Sequence, residues 1–245
     1  MILNSIILFA TAFLGGVSLY FFPQVKTKKF DLLLVFAGSY LFSITVIHIL
    51  PEVYEQYPNT FQIGIFILLG FFLQMVLGVI STGIEHGHIH HIEKNERYLT
   101  PFVLLIGLGI HSFLEGTILA RPVSSSIHHH AAGILFGIVL HKAPAALALM
   151  VIVSAYSKKK WVALMCLLIF SLCSPLGLFT ATIIGEHHVF SIKEMSLLYA
   201  LVSGSFLHIS TTIFFESNPQ HKLKLARLLT VFCGALIAVM VEMFL

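Results

Sequence analysis

Within HSFLEGTILA, residues 111–120, His111 and Glu115 stand four residues apart in an apolar stretch from Pro101 to Ala120 that holds no other ionisable side chain. On a helix, positions i and i+4 lie one above the other on one face, and Ser112 stands one position round from His111. A second apolar stretch carries HKAPAALALM, which places His141 and Lys142 just before Pro144. A charge at bilayer depth costs several kcal/mol, so it persists where something binds it there. Two imidazoles, one carboxylate and a water form a borderline-soft donor set suited to Zn²⁺, with Fe²⁺, Mn²⁺ or Cd²⁺ as alternatives. Ions that demand oxygen alone, such as Mg²⁺ and Ca²⁺, fit it poorly. A single histidine inside a membrane serves equally well as hydrogen-bonding glue between helices. Two of them at matched depth, one beside a glutamate, shift the weight to metal or proton handling.

The elements that must position these residues follow from composition. Of the 245 residues, 58% are hydrophobic and 10% charged, against roughly a quarter charged in a soluble domain. A hydrocarbon core about 30 Å thick needs about 20 apolar residues per helix. Apolar runs fall at about 4–22, 30–50, 61–84, 98–120, 130–154, 161–184, 194–215 and 223–244. The expected fold is therefore an all-α membrane protein, one polytopic bundle of eight helices over residues 1–245, with residues 1–22 a retained first span. Connections after odd-numbered spans carry eleven basic residues, namely Lys26, Lys28, Lys29, Lys94, Arg97, Lys158, Lys159, Lys160, Lys222, Lys224 and Arg227. Those after even-numbered spans carry Arg121 and Lys193 alone. Because cytoplasmic connections are enriched in Lys and Arg, the first set faces the cytosol and both termini face outside. Short connections suit a bacterial inner-membrane protein.

Counting about 1.5 Å per residue from the outer ends near Ala120 and His130 puts His111 ~14 Å deep and His141 ~17 Å deep. Pro144 removes the amide that would have bonded the carbonyl of Leu140, leaving beside His141 an acceptor that a cation path can use. His48 and Glu52 form another i, i+4 pair at the outer end of the second span, before an acidic segment, PEVYEQYPNT, without Lys or Arg. They are candidates for an entrance, or for a capped helix end. His208 and Glu216, toward the inner end of the seventh span, are candidates for the exit. The loop 85–97, EHGHIHHIEKNER, holds His86, His88, His90 and His91 with the composition of a metal-gathering tract. His128 to His130 and Glu186 to His188 lie on the outer face, as collectors or as solvated loop residues. Gly107 and Gly109 on the fourth span, with Gly133 and Gly137 on the fifth, are expected to let these two helices pack closely. Cys166, Cys173 and Cys233 sit in apolar runs and read as small core residues.

The motifs HSFLEG, HKAPAA, HILPE at His48 to Glu52, SPLG at Ser174 to Gly177 and GSFLH at Gly204 to His208 occur in an order that resembles the ZIP (Zrt-/Irt-like) family of metal transporters, over nearly the whole chain. The resemblance implies an eight-helix fold with an inverted internal repeat and uptake of divalent metal into the cytosol. It also implies metal binding by His111, Glu115 and His141, and Ser112 is a fourth candidate for the metal site. Many members carry two acidic residues in the fifth-span motif, where this chain has Lys142 and Ala145. Leu114 stands where a proline is common and Ser112 where an asparagine is common. With a lysine at the place of the second ion, one metal is expected, the ammonium pairing with Glu115 when metal is absent.

Three functions compete. The leading one is a carrier that exposes a single divalent ion, zinc foremost, alternately to the two sides. No GxxxxGKS or GxxxxGKT loop occurs, which removes direct ATP drive. The second is an intramembrane zinc-dependent hydrolase; HExxH is absent, and Glu115 would have to serve as both ligand and general base. The third is a metal-binding scaffold without flux. The expected cargo is Zn²⁺ as transported substrate, without organic cofactor. The expected partners are the metal ion and the lipid bilayer, with no nucleic acid or nucleotide; a homodimer stays open.

Overall fold

A computed structural model describes residues 1–21, 28–80, 100–120, 131–157, 159–187, 191–216 and 225–244, apart from the side chains of 28, 29, 80, 100, 131, 215 and 216. Every regular element among them is helical. Lipid offers no water to backbone amides and carbonyls, so each apolar run must satisfy them within its own segment. α1 spans Ile2–Val17 and ends in a 3₁₀ turn at Ser18–Tyr20. α2 is one rod built from Lys28–Ile44, a π turn at Thr45–Ile49 and a last segment Leu50–Gln56. The others are α3 (Thr60–Ile80), α4 (Thr100–Thr117), α5 (Ala131–Tyr156), α6 (Lys160–Glu186), α7 (Ile192–Glu216) and α8 (Leu225–Phe244). Seven of these rods are long and apolar enough to cross a membrane, and α4 supplies a shorter apolar helix. The chain is an all-α membrane protein.

Buried hydroxyls return their hydrogen bonds to the backbone of their own helix, as Thr45 does to Leu41, Ser171 to Leu167 and Ser203 to Tyr199. This lets polar side chains sit inside the bundle without unsatisfied groups. α2 runs six residues beyond Leu50, past Pro51. Proline cannot donate to the carbonyl of Ile47, and the wider π winding lies over that gap.

The most extensive packing joins α3 to α7, α4 to α6, α1 to α5 and α2 to α8. α1 also packs on α6, and α2 on α7. The contacts divide the bundle into two groups, α1, α4, α5, α6 and α2, α3, α7, α8. Exchanging α1, α2, α3 and α4 for α6, α7, α8 and α5 maps the four main pairings onto one another. Each exchange joins an odd-numbered to an even-numbered rod, so the two copies run in opposite directions.

Reciprocal glycines make the closest crossings. A Cβ on Gly116 of α4 would collide with the carbonyl oxygen of Ser174, and one on Gly177 of α6 with that of Phe113. α3 and α7 cross in the same way, Gly70 against the Leu201 carbonyl and Gly204 against that of Ile67. Three of the four glycines expected to draw α4 and α5 together do otherwise. Gly133 and Gly137 face Tyr40 and other side chains of α2 and α8, and Gly109 faces the sulfur of Cys173 on α6. A small residue lets any neighbour approach, and the neighbour is set by the whole packing.

Replacing Gly70 or Gly116 with valine should lower the thermal midpoint of the detergent-solubilised protein, in line with about 1–3 kcal/mol for overpacking. Gly64→Val should leave it unchanged, because nothing lies within 4 Å of that position.

Candidate metal centre

α4 carries His111, Ser112 and Glu115 toward its C-terminal half, and α5 carries His141 and Lys142 before Pro144. All five side chains are at most 2% exposed. His111 Nε2 lies 2.9 Å from Glu115 Oε1, and His141 Nε2 lies 3.9 Å from the same oxygen. The two imidazole rings meet edge to face, with centroids 5.7 Å apart. One donor atom from each of His111, Glu115 and His141 lies within 4.8 Å of the others. With zinc bonds of about 2.0–2.1 Å, tetrahedral donors stand about 3.3 Å apart, between the two contacts just given. Among the described residues, neither ring nitrogen of His141 has a hydrogen-bond partner. Unshared imidazole nitrogens facing a buried carboxylate oxygen are suited to closing on a small cation.

The other side of the carboxylate is engaged differently. Lys142 Nζ donates to Glu115 Oε2 at 2.7 Å and to Ser112 Oγ at 2.8 Å. Ser112 Oγ also lies 3.0 Å from Ser174 Oγ, and Ser174 donates to the Ser112 carbonyl. The ammonium sits 5.4 Å from the centroid of Phe170, within cation–π range. Glu115 is therefore shared, Oε1 toward the imidazoles and Oε2 toward the ammonium. α6 backs this arrangement through Phe170 and Ser174. Ser174 stood in the SPLG motif without an assigned role, and Phe170 carried no chemical signal at all.

A second polar cluster lies at the far end of α2. His48, in the π turn, places Nδ1 3.0 Å from Glu242 Oε1 of α8 and Nε2 3.5 Å from Glu52 Oε2. Gln56 donates to the other Glu52 oxygen at 2.9 Å. Glu242 was overlooked in the sequence, although it is a carboxylate inside an apolar run and the reasoning applied to Glu115 reaches it equally. His208 of α7 is buried, with its ring edge to face against Phe71 of α3 at 4.9 Å. The side chain of Glu216 lies outside the described residues, as do His86, His88, His90, His91, the outer histidines 128–130 and His188. Glu186 and His187 are exposed at the end of α6.

Comparison with known proteins gives two findings. A family model described as ZIP Zinc transporter matches residues 85–242, which takes in α4 to α8. The protein zntD of Dictyostelium discoideum is 33% identical over 145 residues, covering 56% of this chain and 21% of that protein. The chain thus corresponds to about a fifth of the relative's length.

Removing one member of a buried ion pair strands the other, at a cost of about 3–5 kcal/mol. Glu115→Gln should therefore unfold at a markedly lower temperature than the native chain, and Glu115→Gln combined with Lys142→Met should recover most of the loss. Thermal unfolding of the four chains in a double-mutant cycle measures this coupling.

Proposed function

The chain belongs to the ZIP zinc transporter family, and from that premise we propose that it carries one divalent transition-metal ion at a time, zinc foremost, across the membrane into the cytosol. The family is one of divalent metal transporters, and the protein is multi-pass in the membrane. The observation that carries the proposal is the buried convergence of His111, Glu115 and His141, donor atoms within 4.8 Å, in a bundle where buried charge is otherwise scarce. Ser112, the fourth candidate, stands beside this set with its hydroxyl accepting from Lys142 Nζ at 2.8 Å.

Uptake into the cytosol follows from the resemblance to the family, and the orientation of the bundle from the basic connections, eleven residues against two, which favour a cytosolic place for the loops after odd-numbered rods. On that orientation the termini and the His48, Glu52 and Glu242 cluster lie toward the outside. We assign the cluster to the entrance, where two carboxylates attract cations ahead of the centre. His208, with Glu216, is assigned to the exit, and His86, His88, His90 and His91 to metal capture at the cytosolic surface. The short connections favour placement in a bacterial inner membrane. Alternating access would then consist of the group α1, α4, α5, α6, which holds all three proposed ligands, moving against the group α2, α3, α7, α8. Fe²⁺, Mn²⁺ and Cd²⁺ are the alternative cargoes.

Uptake of radioactive zinc into proteoliposomes should saturate with the native chain and fall to the liposome background with His111→Ala or Glu115→Ala. Competition by cobalt, iron and manganese would rank the cargoes. Flux indifferent to both substitutions would remove the centre from the pathway and bring forward the intramembrane hydrolase, whose readout is lipid amide cleavage.

Lys142 stands for the second ion in this reading. The native chain should bind one zinc per monomer, and Lys142→Asp should bind two, by metal analysis of the desalted protein. A count of one in the variant would refute the replacement.

A further inference from the structure

We propose that Lys142 is a positioning residue that divides the Glu115 carboxylate, reserving Oε2 for itself so that the cargo ion is held through Oε1 alone. Bound in this way, the ion is held loosely enough to leave, and small ions are favoured over large ones. The proposal rests on the reading that His111, Glu115 and His141 bind the cargo, and adds what sets their strength and selectivity.

Three partners on two helices fix the ammonium: Glu115 Oε2 at 2.7 Å and Ser112 Oγ at 2.8 Å from α4, and the Phe170 ring at 5.4 Å from α6. Ser112 is held in turn by Ser174 at 3.0 Å. Lys142 itself is 0% exposed, so an ion that took both carboxylate oxygens would displace an ammonium with no water to receive it. That displacement costs several kcal/mol for an ion in a protein interior. The imidazoles approach only Oε1, at 2.9 and 3.9 Å. A small cation content with four ligands can use two nitrogens, one oxygen and a water. Larger cations favour higher coordination numbers and two-oxygen carboxylate binding, which this arrangement denies them.

Charge works in the same direction. A fixed ammonium sharing the ligand carboxylate repels an arriving dication across a few ångströms of buried protein, where Coulomb interactions are less screened than in water. A ligand set without that neighbour would bind more tightly and release more slowly. A lysine that merely filled space would do the reverse on removal, since a void beside the ligands loosens them.

The test is equilibrium titration of the full chain in lipid nanodiscs with Zn²⁺ and with Cd²⁺, comparing the native protein, Lys142→Met and Lys142→Arg. Lys142→Met should lower the zinc Kd by about tenfold or more and the cadmium Kd by more than the zinc Kd, while maximal zinc uptake falls; one factor of ten corresponds to about 1.4 kcal/mol. Lys142→Arg should keep the native order of affinities. Weaker zinc binding by a folded Lys142→Met chain, or an unchanged cadmium-to-zinc ratio, overturns the proposal. Should Lys142→Met fail to assemble, X-ray absorption of the zinc-loaded native protein decides. A carboxylate bound through one oxygen supports the proposal, and a two-oxygen carboxylate overturns it. Native zinc affinity in His111→Ala would instead sink the reading of the centre itself, whatever Lys142 does.

Discussion

The buried ion pair between Glu115 and Lys142 is the constraint around which this bundle is organised. Neither charge can reach water, so each must be neutralised by the other at hydrogen-bond distance. That requirement fixes α4 and α5 in depth and rotation, although their own direct packing is slight beside that of α4 on α6 or α1 on α5. The alignment is imposed through third parties. α6 crosses α4 at the Gly116 and Gly177 contacts, which brings Ser174 to Ser112 and Phe170 to the ammonium. α1 closes the same group by packing on both α5 and α6. The imidazoles then fall beside the one carboxylate oxygen that the lysine leaves open.

Much of the centre was legible in the sequence because ionisable residues are so expensive in an apolar helix that each one identifies itself. Spacing places His111 and Glu115 on one face, and counting inward from the span ends sets His141 at a similar depth. The pairing of Lys142 with Glu115 came from the resemblance, which sets the lysine at the place of a second ion. The eight apolar runs were equally plain, since length and composition are enough where lipid enforces helices.

What escaped was the identity of neighbours far apart in the chain. The α5 glycines were matched to α4 on the strength of their spacing, yet they lie against Tyr40 of α2. A glycine signals that something comes close without saying what. The π turn at Thr45–Ile49 was hidden for a related reason: its cause, Pro51, reads from sequence as a helix end, whereas the rod absorbs it and goes on. Glu242 joins His48 across nearly the whole length of the chain, and nothing local to either residue announces the other.

The tightest glycine contacts lie inside the helix groups, and those of Gly133 and Gly137 lie across the boundary between them. Gly116 with Gly177, and Gly70 with Gly204, seat backbone against backbone inside one group, where each helix is keyed into its neighbour. Across the boundary Gly137 instead rests on the ring of Tyr40 and Gly133 on the Val241 and Ile44 side chains, and the tyrosine hydroxyl donates to the Gly133 carbonyl at 3.0 Å. At these two positions side chains lie over bare backbone, without the backbone-on-backbone seating of the crossings inside each group. One hydroxyl acts there as a detent, a single catch that ties the two groups where no backbone is keyed.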